Sequence, residues 1–423
     1  MKEIVETARE KALELLSRHI TPRGLMAVAS QEESLYEVTL VARDTLIASL
    51  GASLGLGDAY ELPFQNTLMT LGNYQNELGQ IPNSVTPRTT GDFVEYESQD
   101  CNLWYVLGHC YLYRIYKDKA FLLKHLESIQ KAIHWLRCQD SDANGLLEFP
   151  EGGNWMDFFS QRHIVLLDNA MWYGCLTRFG HILDELDLEG SAYLEMAQDV
   201  KRKINLMMWM DNGLGPDRSG EARKMGLRVQ WVYKKMCAEI GGRPYYLPFV
   251  DFMDCGDYFD SFGNLAAILF DVAAGEETAG IDKSDLILNY IRDVGCNRPF
   301  PVLSVYPPIQ PGDKGWRDYF RMGYVLREKA NVPYQYHNGG IWPFIGGFYV
   351  AALVKCNRMA EAEVELEYLA RENEKGYNEV AWGFPEYLHG QTGHVMGGDY
   401  FSWSAGMYLY AYECVKQGRV IGL

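Results

Sequence analysis

Apolar residues recur at a helical period along the whole chain, and strongly apolar runs alternate with amphipathic ones. That pattern leaves few ways to bury the surface. Residues 3–18 place Ile4, Ala8, Ala12 and Leu15 on one helical face. The spacing predicts further helices over 36–50, 64–78, 99–116, 119–138, 168–184, 190–209, 261–274, 283–293, 339–356, 359–373 and 400–417. An apolar helix must be covered nearly all round, an amphipathic one on a single side. Two concentric layers meet both demands, with six inner helices ringed by six outer ones. The expected fold is therefore all-α, an (α/α)6 toroid with long loops on one face. No fixed-period repeat suggests a solenoid. No break in composition marks a boundary, so residues 1–423 are expected to form one domain. Residues 210–258, where Gly, Pro and Arg interrupt short apolar runs, read as an elaborated loop with a short hairpin.

Charge and cysteine usage narrow the partners. The net charge of −17 argues against nucleic acid, whose phosphates require basic patches, and against a strongly anionic polymer. A small or neutral ligand fits better. The nine cysteines are scattered without a C-x-x-C pair and read as buried free thiols of a reducing compartment. The charged amphipathic start is neither signal peptide nor membrane span, and no apolar run approaches the roughly 18 residues a span requires. A cytoplasmic location without membrane contact is the expectation, with homo-oligomerisation left open.

The chemistry is concentrated in aromatic loops. In EGGNWMDFFSQRH (151–163) a Gly-Gly turn delivers Asp157 among Trp155, Met156, Phe158 and Phe159. Apolar surroundings invite the raised carboxyl pKa that a general acid needs, although a turn-capping role suits the same residue. Asp168 opens the following helical run, where it or Asn169 as a helix cap is the plainer reading. Glu386 stands similarly isolated in AWGFPEYLHG (381–390). Two lone carboxylates on distant aromatic loops are what glycosidic cleavage requires, and flat aromatic faces suit sugar rings. Arg43 and Asp44 lie on an otherwise apolar helix and must pair internally or touch a ligand. Asp100 starts an apolar helix, where an N-cap is the plainer role. His337 and Asn338 precede a Gly-Gly and a Trp-Pro. No nucleotide-binding loop occurs, and His389 and His394 are a weak metal signal. Neither a metal nor an organic cofactor is expected.

Several of these segments together resemble the six-hairpin (α/α)6-toroid glycoside hydrolases. That superfamily includes neutral/alkaline invertases, processing α-glucosidase I with the bacterial mannosylglycerate and glucosylglycerate hydrolases, and the amylo-α-1,6-glucosidase domain of glycogen debranching enzymes. VARD (41–44) is similar to the invertase segment that grips the sugar, and SQDCNLWY (98–105) to S-x-D-x-x-L-W. NWMD (154–157) with DNAMWYGCL (168–176) resembles the debranching W-M-D and E-I-N-A-L-W-Y pair. FDSFGNLAAILF (259–270), YHNGGIWPF (336–344), GFPEYL (383–388) and FSWSAG (401–406) follow in the family's order.

The resemblance implies an inverting hydrolase with Asp157 as general acid and Glu386 as general base, their carboxyls about 6.5–9.5 Å apart to admit a water. It implies that Arg43, Asp44, Asp100, Trp155, Asn338 and Trp342 contact the sugar. Trp104, Asp168, His337, Trp382 and Trp403, from the same motifs, join this substrate-binding set. Asp168 replaces the usual Glu and is one methylene shorter. Asp157-Phe158-Phe159 stands where invertases carry D-R-R, which weakens sucrose as substrate. The function implied is exo-acting release of a terminal α-linked sugar, glucose in the first instance, from a small α-glycoside or oligosaccharide. Invertase-like and debranching-like hydrolysis are alternatives within the class. A sugar epimerase or a carbohydrate-binding toroid is the alternative outside it, and epimerases on this fold typically work through paired histidines. The aglycone is expected to be set by loops 81–97, 210–258 and 299–335.

Overall fold

Among the described residues the chain forms α1 (Glu3–His19), α2 (Ala42–Leu56), α3 (Glu61–Asn73), α4 (Asp100–Tyr116), α5 (Lys119–Arg137) and α6 (Leu166–Glu185) in its first half. Then follow α7 (Ser191–Met207), α8 (Ser261–Leu269), α9 (Lys283–Asp293), α10 (Pro343–Lys355), α11 (Met359–Glu374) and α12 (Ser402–Gln417). The structure, a computed structural model, describes residues 2–28, 39–210, 238–252, 254–322 and 330–423 with positions 220, 223 and 236.

The even-numbered helices pack in sequence, α2 on α4, α4 on α6, α6 on α8, α8 on α10 and α10 on α12, and α12 closes the ring against α2. This is the (α/α)6 toroid expected from the alternating pattern. Inner helices are buried all round: α2 buries every residue from Ala42 to Ser53, and α12 every residue from Ser402 to Val415. The outer helix α5 buries one face instead, through Phe121, Leu122, Ile129, Ala132, Ile133, Trp135 and Leu136. The ring closes tightly because α2 and α12 meet at glycines. A Cβ on Gly51 would fall 1.7 Å from the Gly406 carbonyl oxygen.

Several helix boundaries differ from the periodicity, among them the ends of the 64–78 helix, at Asn73, and of the 261–274 helix, at Leu269; two starts differ for local reasons. The predicted 36–50 helix begins at Ala42, because Leu40–Val41 is extended and pairs antiparallel with Ser84–Val85. Residues 36–38 of that expectation lie outside the described residues. The predicted 339–356 helix begins at Pro343, where a proline at the first helical position has its missing N–H among the groups left free anyway. Most of the 210–258 elaboration and Cys237 also lie outside the described residues, though Val250 there bridges antiparallel to Cys255. Within it, Phe249–Val250 pairs with Ile164–Val165. The eight described cysteines are all free thiols, but not all are buried: Cys138 is exposed, and Cys255 and Cys356 are partly so. No described helix is long and apolar enough to cross a membrane.

The toroid's geometry decides where chemistry can occur. Each inner helix starts from the same end of the ring, and polar or aromatic residues stand at these starts. Arg43 and Asp44 lie in the first turn of α2, Asp100 opens α4, Asp168 lies in the first turn of α6, and Asp260 caps α8. Trp342 and Phe401 precede α10 and α12. Helix N-termini carry partial positive charge, so this end of the ring favours carboxylates.

Candidate active site

The loops above these helix starts surround a cavity of about 1060 Å³. Its floor is aromatic. The Trp155 ring meets His337, Trp342 and Phe344 edge-on at 4.8, 5.5 and 5.5 Å. Trp403 stacks on Phe344 at 4.4 Å and stands perpendicular to Trp342 at 5.7 Å. Such pairs contribute about 0.5–1.5 kcal/mol each beyond their burial, so the floor is rigid. Trp155, Trp342 and Trp403 all line the cavity, and the indole N–H of Trp342 donates to the Tyr336 carbonyl at 3.0 Å. The indole N–H groups of Trp155 and Trp403 have no partner among the described residues.

Asp157 and Glu386 both face this cavity. Asp157 is half-buried on the irregular loop between the Glu148–Phe149 and His163–Val165 strands. That loop is tied down by Gln99 N–H donating to the Gly153 carbonyl at 2.8 Å, and by Met156 N–H donating to Asn154 Oδ1 at 2.9 Å. Glu386 is only 6% exposed. Its loop is joined to the 336–342 segment by a bridge between Ile341 and Leu388, and its own N–H donates to the Gly398 carbonyl at 2.9 Å. Gly397 makes room for the carboxyl, because a Cβ there would lie 2.7 Å from Glu386 Oε2.

Arg43 and Asp44 form the third charged corner. Arg43 Nε donates to Asp100 Oδ2 at 2.8 Å, and its Nη2 to Ser98 Oγ at 2.6 Å and Asp100 Oδ1 at 3.2 Å. Burial alone would lower the Arg43 pKa, but the carboxylates of Asp100, Asp157 and Asp44 outweigh it and hold the guanidinium charged. Asp44 is pushed up to about 7, first by burial; Arg43 opposes this, and the charges of Glu386 and Asp157 add to it. Burial also raises Asp168 well above the carboxylate range, and Asp260 to about 6. Desolvation costs several kcal/mol per ion, whereas a helix N-terminus returns about 0.3–2 kcal/mol, so burial prevails at these helix starts.

The Arg43–Asp100 pair yields a stability prediction. Arg43→Met leaves the Asp100 carboxylate buried without its cation and should lower unfolding free energy by about 3–5 kcal/mol in urea titrations. A loss under about 1 kcal/mol would place the pair with exposed bridges instead. The double variant Arg43→Met/Asp100→Leu should recover most of the loss.

Of the expected site residues, Arg43, Asp44, Trp155, Asp157, His337, Trp342, Glu386 and Trp403 line the cavity. The others do not. Asp100 lies beneath it as the partner of Arg43. Trp104 is buried in the inner ring against Phe348 at 6.5 Å. Asp168 is fully buried, with Oδ2 accepting from Asn154 Nδ2 at 2.7 Å, so it supports the Asp157 loop through Asn154. Asn338 spends its amide on the protein. Its Oδ1 accepts from Ile309 N–H at 2.7 Å, and its Nδ2 donates to the carbonyls of Ile309 and Asn331 at 2.8 and 3.0 Å. Trp382 packs beside Phe384 at 6.3 Å, away from the cavity.

One wall was not anticipated residue by residue. Asn83, Ser84, Thr86, Arg88, Glu95 and Glu97 contribute to it, on and around the Ser84–Thr86 and Phe93–Glu95 strands. Their sequence signal, two three-residue strands in a Pro/Thr/Gly loop, is too short for periodicity to register. Glu151, Phe158 and Tyr319 form the outer rim, where the Tyr319 hydroxyl donates to Glu151 Oε2 at 2.7 Å. Among the described residues no group of His, Cys, Asp and Glu is placed to hold a metal ion.

Comparison with known proteins agrees with this architecture. Residues 249–418 match the family model described as alkaline and neutral invertase. Neutral/alkaline invertase 1, mitochondrial, of Oryza sativa subsp. japonica is 30% identical over 154 residues, 36% of this chain and 22% of that protein. The match thus spans about a quarter of the length of the curated relatives. The GH63 mannosylglycerate hydrolase from Thermus thermophilus, solved with glucose, superposes with a TM-score of 0.65 at 13% identity, covering 95% of this chain and 99% of that one. A GH78 family rhamnosidase of Bacillus sp. GL1 gives 0.63 at 13% identity, covering 97% of this chain and 34% of that one. The chain has the (α/α)-toroid fold that these solved structures share.

Proposed function

We propose that this protein is an exo-acting, inverting α-glycoside hydrolase that releases a terminal α-linked glucose from a small α-glycoside or oligosaccharide. The observation that carries the reading is that Asp157 and Glu386, from opposite halves of the chain, face one cavity over an aromatic floor. Asp157 protonates the departing glycosidic oxygen. Glu386 takes a proton from the water that attacks the anomeric carbon from the other side, so the α-linkage yields the β-sugar. Asp44 and the charged guanidinium of Arg43 supply hydrogen bonds to ring hydroxyls, and bonds of this kind accelerate the reaction only where they tighten in the transition state.

The cavity supports hydrolysis over epimerisation. His337 is the histidine among its described lining residues, and it is held between Trp155 and Trp342. His389 lies away from the cavity, and its Nδ1 accepts from the Gln391 backbone N–H at 3.2 Å. Among the described residues, a proton-transfer pair of histidines is therefore not assembled at this cavity. Proton NMR during the first minutes of hydrolysis tests the proposal, with sucrose, glucosylglycerate and α-glucobioses as substrates. β-Glucose should form first and mutarotate afterwards. α-Glucose as first product, or an isomerised sugar without hydrolysis, would overturn it.

A further inference from the structure

The residue that follows the proposed acid has a backbone conformation that its own chemistry disfavours. Phe158 has φ of 56°, the left-handed region, where the Cβ of a bulky residue crowds the backbone. Such a conformation costs about 1–3 kcal/mol and persists only where the surroundings over-determine it. Burial of the Phe158 ring does not supply the compensation, because the residue is 52% exposed at the cavity rim.

Asn331 supplies part of it. Its Nδ2 donates to the Phe158 carbonyl at 2.8 Å, and its Oδ1 accepts from the His337 backbone N–H at 3.0 Å. Asn331 is 3% exposed, and its own carbonyl accepts from Asn338 Nδ2. Asn338 is fixed in turn by two bonds to the Ile309 backbone. The grip on Phe158 thus starts from a segment that is itself tied down by hydrogen bonds.

The far side of the loop is clamped separately. Phe159 stacks on Phe320 at 5.1 Å with 4° between the rings. Arg162 Nε donates to Asp251 Oδ2 at 2.6 Å. These contacts fix where the loop sits, whereas the Asn331 bond fixes the Phe158–Phe159 peptide, and with it the φ at which Phe158 follows Asp157. Without it, Phe158 can relax to negative φ, and rotation about its N–Cα bond turns the peptide it shares with Asp157.

We propose that Asn331 is a positioning residue for the proposed acid, holding Phe158 in its left-handed conformation so that the Asp157 carboxyl is aimed at the leaving-group oxygen. This rests on the assignment of Asp157 made above. It has a signature that a general loss of stability lacks, because only substrates that need a proton on the departing atom depend on the aim of the acid. Fluoride leaves as the anion, whereas an alkoxide does not.

The test compares the wild-type chain with Asn331→Ala and Asn331→Asp on α-D-glucosyl fluoride and on whichever of sucrose or glucosylglycerate the wild type hydrolyses, with thermal midpoints recorded for all three. A misplacement on the order of 1 Å costs roughly 10²-fold, so kcat on the glucoside should fall by about that factor while the fluoride rate changes less than about threefold. Asn331→Asp replaces the donor by an acceptor facing a carbonyl, and Asn331→Ala removes it without adding charge. The same selective loss in either folded variant supports the inference. Equal loss on both substrates in both variants, or undiminished glucoside hydrolysis, overturns it while leaving the glycosidase reading standing. No hydrolysis of any substrate by the wild type overturns that reading, and this inference with it.

Discussion

Asp157→Asn should abolish practical turnover of α-glucosides with alcohol leaving groups, lowering kcat by about 10²–10⁴-fold, the usual contribution of a general acid. The substitution keeps the side chain's shape and hydrogen-bonding reach but removes the transferable proton. Asp157 is half-buried on a loop held by backbone bonds at Gly153 and Met156, so the fold has no reason to change. Far-UV circular dichroism and the urea midpoint should match wild type. The loss should be small on α-glucosyl fluoride, where the departing anion needs little protonation. A variant that retains near-normal glucoside hydrolysis would remove Asp157 from the mechanism.

Glu386→Gln should fail on both kinds of substrate, because activation of the attacking water is needed whatever group departs. A loss of about 10²–10⁴-fold is again expected, now without relief by fluoride. The glutamine fits the same space: Gly397, whose absent side chain admits the carboxyl, also admits the amide. The two variants together form a stringent check, since the acid and base assignments predict opposite behaviour on fluoride. If fluoride hydrolysis survived in Glu386→Gln and vanished in Asp157→Asn, the two roles would have to be exchanged.

The sequence carried the architecture because periodicity is a property of single helices. Each inner helix advertises burial on all sides, as α2 and α12 do, and each outer one a single apolar face, as α5 does. Boundaries were less legible where pairing partners lie far away. Leu40 and Val41 fit a helical pattern, but their antiparallel pairing with Ser84 and Val85 extends them. Propensity cannot foresee a partner on another loop.

The site was legible in outline. Isolated charged residues in apolar segments, Arg43, Asp44, Asp157 and Glu386, stand out because burying them without purpose costs too much. The sequence does not reveal which polar groups spend their hydrogen bonds inside the protein. Asn338 sits in a segment that reads as ligand-binding, yet its amide is consumed by Ile309 and Asn331. Asp168 belongs to the substrate-binding set that the resemblance implies, yet it supports the loop through Asn154. Asn331 gave no signal at all, because its significance lies in the conformation of Phe158.

The sequence by itself determined a ring of helices and the identity of its isolated carboxyls, since hydrophobic period and the cost of buried charge both act locally. Only the tertiary structure decided which of those groups face one cavity, which serve as braces beneath it, and how the Asp157 loop is held. Those outcomes depend on distances of a few ångströms between loops remote in the chain, set by closure of the toroid rather than by any one segment.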